Sequence, residues 1–377
     1  MRPTNKLLLS SRIIVGITFI FSGFVKAVDP MGTVIKVTDY FIAFNMQGLE
    51  PVAVVVAFIL CCYELPLGVA VLLGARGKLM SKLLLLIMSP FLIITLYLAI
   101  KNPVTDCGCF GDALILTNWQ TFYKNVILMI LTLIIFSKRK EIVFLFKEKW
   151  EWMTVILSLV FILVISIYSY SYLPIMDFRP YKVGNNIQEK MVIPEGKTGD
   201  VYETILIYKD NKTGETKEFD ADNIPMDENL EFVEVFNKLK KKGYTPPIQG
   251  FKISDSNEVD VSDKFLSQGG YRLVIIHHKL KEGNENVQEK LNQLVNKITA
   301  EGNIQVWAIT SSLKEDIDQY TKLNHVPYSL YSSDIIMLET MIRSNPGLLL
   351  FKDNVVIKKW SFRRIPSYEK LGEYLYQ

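Results

Sequence analysis

The chain has 377 residues, 49% of them Ala, Val, Ile, Leu, Met, Phe, Trp, Tyr or Cys and only 21% charged, with a mean hydropathy of +0.21. A soluble domain averages about 45–50% apolar residues with glycine included and about 25% charged, so this chain is not soluble throughout, and the composition argues against uniform disorder and against a nucleic-acid partner. The net charge of +3 joins two unlike halves: up to Leu173 there are 15 Lys and Arg against 9 Asp and Glu, and from Pro174 onward 27 against 30.

Five apolar stretches occupy the basic half: Leu7 to Ala27, Pro51 to Leu73, Leu79 to Ile100, Trp119 to Phe136 and Trp152 to Leu173. Each is close to the roughly 20 residues that cross about 30 Å of hydrocarbon. Arg2, Lys6 and Arg12 precede or enter the first, and Lys26, Asp29 and Pro30 follow it in place of a small-residue cleavage site, so it reads as an uncleaved anchor. The positively charged loops (Arg2 and Lys6; Arg76, Lys78 and Lys82; Lys138, Arg139, Lys140, Lys147 and Lys149) fall on alternate sides of the spans. Positive loops stay inside. The expected arrangement is a membrane protein with a cytoplasmic N-terminus and with Val28 to Glu50, Lys101 to Asn118 and everything after Leu173 on the periplasmic or exterior side. Between the first two spans, Val34, Val37, Phe41, Ile42 and Phe44 recur at helical spacing, as in a helix that lies in the interface or caps the bundle.

Arg12 lies early in the first span and Glu64 near the middle of the second. Ionisable groups in a membrane are costly and face a partner or a cavity. In antiparallel helices the 1.5 Å rise per residue puts Arg12 about 8 Å and Glu64 about 15 Å from the cytoplasmic side, a gap that an arginine side chain covers. The expectation is an Arg12–Glu64 pair; the competing reading of Glu64 is a proton-handling or quinone-adjacent carboxylate. Lys26 and Lys124, near the outer ends, are expected to snorkel.

All four cysteines lie in this half. Cys107 and Cys109 stand in Asp106-Cys107-Gly108-Cys109-Phe110-Gly111-Asp112, in a loop assigned to the oxidising side. A bridge across one residue needs a tight turn, which Gly108 permits. It closes almost no loop, so it stabilises little and is easily reduced. That combination suits thiol–disulfide exchange; a purely structural turn is the alternative, and a zinc site lacks histidine and a fourth good ligand. Cys61 and Cys62 are adjacent in the second span and read as small apolar packing groups. One of them could otherwise relay to a lipid-soluble quinone.

The first span with Ser22-Gly23-Phe24-Val25-Lys26-Ala27-Val28-Asp29-Pro30, the second with Glu64-Leu65-Pro66-Leu67-Gly68, and the Cys107-Gly108-Cys109-Phe110-Gly111 loop resemble the MauE/DoxX family of four-helix membrane proteins over about residues 7–136. The resemblance implies a bacterial inner-membrane bundle associated with redox maturation. MauE accompanies methylamine dehydrogenase, a disulfide-rich enzyme, and DoxX proteins are tied to thiosulfate:quinone oxidation.

Beyond Leu173-Pro174, an ordered strap is followed by a hairpin, Tyr202 to Tyr208 and Glu215 to Phe219, around Asn211-Lys212-Thr213-Gly214, and by a helix over Asn229 to Lys241. From Gly250 strands and helices alternate: short strands Phe251 to Ser254 and Glu258 to Val261, a buried strand Tyr271 to His277, a helix Asn286 to Thr299, a buried strand Ile304 to Thr310, a helix Lys314 to Leu323 and a short strand Tyr328 to Tyr331. A hairpin of Leu348 to Phe351 with Val355 to Trp360 and a helix Ser367 to Tyr376 end the chain. This order implies an α/β domain around a central sheet. It resembles a thioredoxin-like domain over about residues 250–377, with Asn345-Pro346-Gly347 where that family carries its cis-proline. Where the family places Cys-x-x-Cys, however, the chain has His277-His278-Lys279-Leu280. Strand neighbours point to opposite faces, so His277 and His278 are not expected to share a metal; with Pro346 they mark a surface for a partner.

The sequence thus divides into a four-helix membrane bundle (1–137), a basic loop and fifth span (138–173), a strap with hairpin and helix (174–249) and a thioredoxin-like domain without Cys-x-x-Cys (250–377). The leading reading is redox maturation in the periplasm through Cys107 and Cys109, with a quinone or another redox protein as acceptor and the outer domain presenting a protein partner or substrate. A non-catalytic envelope scaffold anchored in the lipid bilayer is the alternative, and a transporter comes third.

Overall fold

The computed structural model describes residues 6–104, 106–220, 229–283 and 287–375. Six helices come first: α1 (Lys6–Val28), α2 (Pro30–Ala43), α3 (Ala53–Leu73), α4 (Gly77–Lys101), α5 (Asn118–Ser137) and α6 (Glu151–Ser171). All but α2 are long and apolar enough to cross a membrane. The helix expected between the first two spans is α2, started by Pro30 and capped by Asp29, whose carboxylate accepts from Gly32 N.

In the bundle α1 packs along α3, α4 along α5, and α6 against α3. Without a hydrophobic drive between helices in lipid, close backbone approach at small residues supplies much of the association. Gly16, Gly23 and Gly68 provide it: a Cβ on Gly68 would sit 2.7 Å from Ile20 N, and one on Gly23 2.6 Å from Leu65 N. These contacts set the register of α1 against α3. Phe19, Leu67, Val71, Leu84, Met88 and Leu128 fill the adjoining core. Gly68→Val is therefore expected to cost roughly 1–3 kcal/mol of overpacking, seen as a lower melting temperature and a poorer yield of monodisperse protein in detergent; an unchanged melting temperature would show that the helices do not approach this closely.

After α6 the strap folds onto the α/β domain and buries Tyr181 and Ile187 in its core. It hydrogen-bonds through Gly184 N, Ile187 N and Asn185 O to backbone groups of Asn354 and Val356. Three strands follow, β1 (Val201–Asp210), β2 (Thr216–Asp220) and β3 (Leu230–Lys241), in the antiparallel order β2-β1-β3. The expected hairpin is β1–β2. The helix expected over Asn229 to Lys241 is instead β3, paired with β1 from Leu230 to Lys241. Its apolar residues fit helical spacing on paper, but the long ladder against β1 satisfies the same backbone groups, and strand preference follows such pairing more than local sequence.

The second sheet has the order β6-β5-β4-β7-β8, from β4 (Tyr271–His277), β5 (Gln305–Thr310), β6 (Leu330–Ser332), β7 (Gly347–Lys352) and β8 (Val355–Ser361). β4, β5 and β6 run parallel; β7 and β8 run antiparallel to their neighbours. Alternation along β4 sends Val274 and Ile276 into one core and Leu273 and Ile275 into the other. The first core takes Phe265 from α7 (Ser262–Ser267) and Leu338 and Met341 from α10 (Ile335–Met341). The second takes Leu291, Leu294 and Ile298 from α8 (Gln288–Glu301) and Leu371 from α11 (Tyr368–Gly372). α9 (Lys314–Asn324) covers the edge. This is the expected α/β domain around a central mixed sheet, and the peptide bond Asn345–Pro346 is cis, as the resemblance implied. The two short strands expected after Gly250 reduce to single bridges from Ser254 to Asp260 and Ser332. The last helix is shorter than expected, ending at Gly372. Asn286 and Tyr376, expected helix ends, lie outside the described residues.

Candidate redox site

The cysteine loop joins α4 to α5 at the end of the bundle that faces the α/β domain. Asp106 shapes its start: one carboxylate oxygen accepts from Gly108 N at 2.9 Å, and the other meets Lys36 Nζ of α2 at 2.9 Å. Gly108 then turns with φ +65°, a left-handed conformation that costs other residues a steric clash, and Gly111 N closes the turn on Gly108 O at 3.0 Å. The turn brings Cys107 Sγ and Cys109 Sγ to 2.8 Å.

Neighbouring helices hold both cysteines by their carbonyls. Tyr40 of α2 donates its hydroxyl to Cys107 O. Lys26 of α1 donates to Cys109 O at 2.8 Å, to Ser22 Oγ at 2.6 Å and to Glu64 Oε2 of α3 at 2.7 Å. Lys26 and Glu64 are 7% and 1% exposed. Lys124 of α5 rests 4.3 Å from the centroid of the Phe110 ring. The two thiols are thereby differentiated: the hydrogen bond from Cys107, aided by the Lys124 and Lys26 charges against burial, draws Cys109 down to about 6, while the same hydrogen bond and burial hold Cys107 well above its ordinary range. Cys109 is the ready thiolate and nucleophile. Its alkylation by iodoacetamide is expected to rise as pH passes through about 6 and to level off above, with Lys124→Met moving the midpoint upward. A midpoint near 8.5, that of an ordinary thiol, would contradict this electrostatic reading.

The expected pairing of Arg12 with Glu64 is not formed. Arg12 donates from Nε to Val71 O at 3.0 Å and from Nη2 to Leu72 O at 3.1 Å, satisfying carbonyls at the C-terminal end of α3, where a cation is favoured. The glycine-set register places Lys26, not Arg12, opposite Glu64, so Lys26 is buried and does not snorkel. Cys61 is buried near Ala27, Leu65 and Ile162, while Cys62 borders a shallow surface groove with Val54, Val55, Phe58 and Ile59. Neither lines the cavity beside Cys107 and Cys109.

That cavity holds about 280 Å³ and is bordered by both cysteines, Lys26, Glu64, Lys124 and apolar residues of α2, α3 and α4. On the other side of the loop a wider cleft of about 800 Å³ separates the bundle from the α/β domain. Gly108, Asp106, Lys36 and Asp39 form one wall; Lys279, Glu282, Glu339 and Arg343 form the other. Arg343 spans the two, meeting Asp29 Oδ2 at 3.0 Å and Asp112 Oδ2 at 2.9 Å.

Lys279 of that wall directly follows the His277-His278 pair at the end of β4. Asn345 accepts from His278 N at 3.1 Å and donates to Lys279 O at 2.9 Å, tying the end of β4 to cis-Pro346. His278 Nε2 meets Ile342 O at 2.8 Å, whereas His277 is buried with its ring 5.8 Å from that of Tyr320. Burial lowers both imidazoles to about 4, and both are neutral at pH 7. Asn345 thus ties the end of β4 to the buried Pro346, neither His278 nor Pro346 lines the cleft, and His277 lies in the core. Sequence reading missed Lys36, Lys26 and Arg343. Asp29 and Asp112, which lie within the quoted motifs, were the available signal for a cationic partner.

Among solved structures, the C-terminal region is similar to a thiol-disulfide oxidoreductase from Bacteroides fragilis NCTC 9343, at 11% identity and a TM-score of 0.27, covering 33% of this chain and 93% of that one. It is also similar to a thiol peroxidase from Chromobacterium violaceum, at 13% identity and a TM-score of 0.27, covering 34% and 83%. No curated protein matches the chain. Residues 202–242, which include β2 and β3, match a domain of unknown function, DUF8463. The bundle and its cysteine loop carry a sequence relationship of their own: residues 4–138 match the family of the methylamine utilisation protein MauE.

Proposed function

We propose that this is a thiol–disulfide exchange protein of the bacterial inner membrane, with its N-terminus in the cytoplasm and both the cysteine loop and the α/β domain in the periplasm. Cys109 is the attacking thiolate and Cys107 the resolving thiol. The thioredoxin-like domain has no cysteine; it offers the cleft wall that carries Lys279 and Glu282 to hold a periplasmic polypeptide against the loop. Exchange needs one sulfur to leave as another attacks, and the carrying observation is the pair of sulfurs 2.8 Å apart beside two ammonium groups, beneath the cleft that the α/β domain closes.

Incubating the full-length protein with a periplasmic extract tests the reading. Cys107→Ser is expected to accumulate mixed disulfides through Cys109 that a reductant releases, and the Cys107→Ser/Cys109→Ser double variant to form none. Equal trapping by both variants would leave the non-catalytic scaffold as the better account.

A further inference from the structure

At the end of the bundle opposite the cysteine loop, residues 138–150 join α5 to α6. The segment is held in place: Phe144 is buried in the bundle core, Ile142 lies against Gly77, and Leu145 N donates at 3.0 Å to the carbonyl of Leu73, the last residue of α3. That bond sets a depth, because Leu145 stands level with the end of an apolar span, at the membrane boundary. Val143, Leu145 and Phe146 nevertheless point outward, 71%, 71% and 59% exposed. Apolar side chains fixed in this position at a bilayer surface are covered by lipid rather than water. Their surroundings are cationic, with Lys138, Arg139, Lys140, Lys147 and Lys149 against Glu141 and Glu148 in the same segment. Phe146, Lys147, Lys149, Trp150 and Met153 line a shallow groove that runs from the loop onto the first turn of α6. Leu157, Phe161 and Val164 continue its apolar floor down that helix and are exposed. Lys149 Nζ lies 5.3 Å from the centroid of the Trp150 ring, and neither Lys147 nor Lys149 forms an ion pair among the described residues. Glu151, the acidic residue that begins α6, is engaged by Arg76 at 3.6 Å.

We propose that this groove binds one anionic phospholipid, with its phosphate on Lys147 and Lys149 and an acyl chain along Phe146, Trp150, Met153 and the outer face of α6. Charge and depth select the occupant together. A zwitterionic headgroup carries its own cation toward the lysines, whereas an anionic one does not, and a free phosphate leaves the apolar track bare. Basic side chains at a membrane surface each add attraction for anionic lipid, and the Trp150 indole sits where aromatic rings favour the headgroup level. Because the loop is bonded to the end of α3, the lipid also braces the turn between α3 and α4. The site stands apart from the thiol chemistry at the other end of the bundle.

Native mass spectrometry of the full-length protein released from detergent micelles, titrated with phosphatidylglycerol, phosphatidylcholine or glycerol 3-phosphate, tests the site. One phosphatidylglycerol is expected to stay bound at concentrations roughly tenfold below those that phosphatidylcholine needs, and glycerol 3-phosphate not at all. Lys147→Gln/Lys149→Gln should bring phosphatidylglycerol to the level of phosphatidylcholine. Lys78→Gln/Lys82→Gln removes the same charge from exposed positions at the same end of the bundle and should leave the preference intact. Phe146→Asn should weaken both phospholipids alike. Equal binding of the two phospholipids by the parent protein overturns the inference. So does a preference that survives the loss of Lys147 and Lys149, or one that falls equally with Lys78 and Lys82, which would reduce it to general charge attraction. Retention of glycerol 3-phosphate without a preference between lipids would replace the lipid site with one for a free anion.

Discussion

Lys26→Met is expected to lower the stability of the bundle by about 3–5 kcal/mol, because it leaves the Glu64 carboxylate buried without its counter-ion. The cost falls on a position that also donates to Ser22 and Cys109 O, so the cysteine loop should loosen with it. A buried pair is worth little against apolar residues of similar volume. Lys26→Met/Glu64→Leu is therefore expected to regain most of the lost stability while slowing exchange, since the Lys26 charge that favours the Cys109 thiolate is gone. Denaturant titration of the purified protein in detergent, alongside an exchange assay, separates the two roles. A single variant within about 1 kcal/mol of the parent would show that the pair is not buried as described.

Arg343→Met is expected to leave the α/β fold intact and to release its hold on the bundle. The Arg343 side chain is 9% exposed and joins Asp29, Asp112 and Glu339 O; truncating one partner of a buried charge network costs about 2–5 kcal/mol. Spent on domain seating, even 1.4 kcal/mol opens the cleft tenfold more often. Alkylation of Cys109 by a bulky water-soluble maleimide should accelerate by at least that factor, and protease cleavage in the strap should increase. Arg343→Lys should recover only part of the effect, because a point charge cannot serve two carboxylates as a guanidinium fork does. Unchanged alkylation would mean that the domain does not cover the cysteines.

The bundle was legible in the sequence because five apolar stretches carry the length signal themselves, and the second sheet because buried strands alternate with amphipathic helices. The Asn345-Pro346 turn was legible for a local reason, the confinement of cis bonds to X-Pro. The partner of Glu64 was not. Depth arithmetic shows which charges can meet, but the register of α1 on α3 is decided by the approach at Gly16, Gly23 and Gly68, which is a property of two helices together. β3 was hidden likewise: Leu230, Phe232, Val233 and Phe236 satisfy helical spacing, and only the ladder to β1 decides otherwise. Cys107 and Cys109 were visible as a motif, whereas the cations that differentiate them come from α1 and α5, and the cleft wall across from their loop begins at Lys279, far along the chain.

The central claim is that Cys107 and Cys109 cycle between dithiol and disulfide. It is tested most directly by acid-quenching intact cells, alkylating free thiols with a mass tag and reading both residues with and without brief exposure to a membrane-permeant reductant. The account predicts a substantial oxidised fraction that collapses to the dithiol under reductant and returns within minutes of its removal. A pair that stays in one state through the whole sequence, whether always free or always bridged, would contradict it.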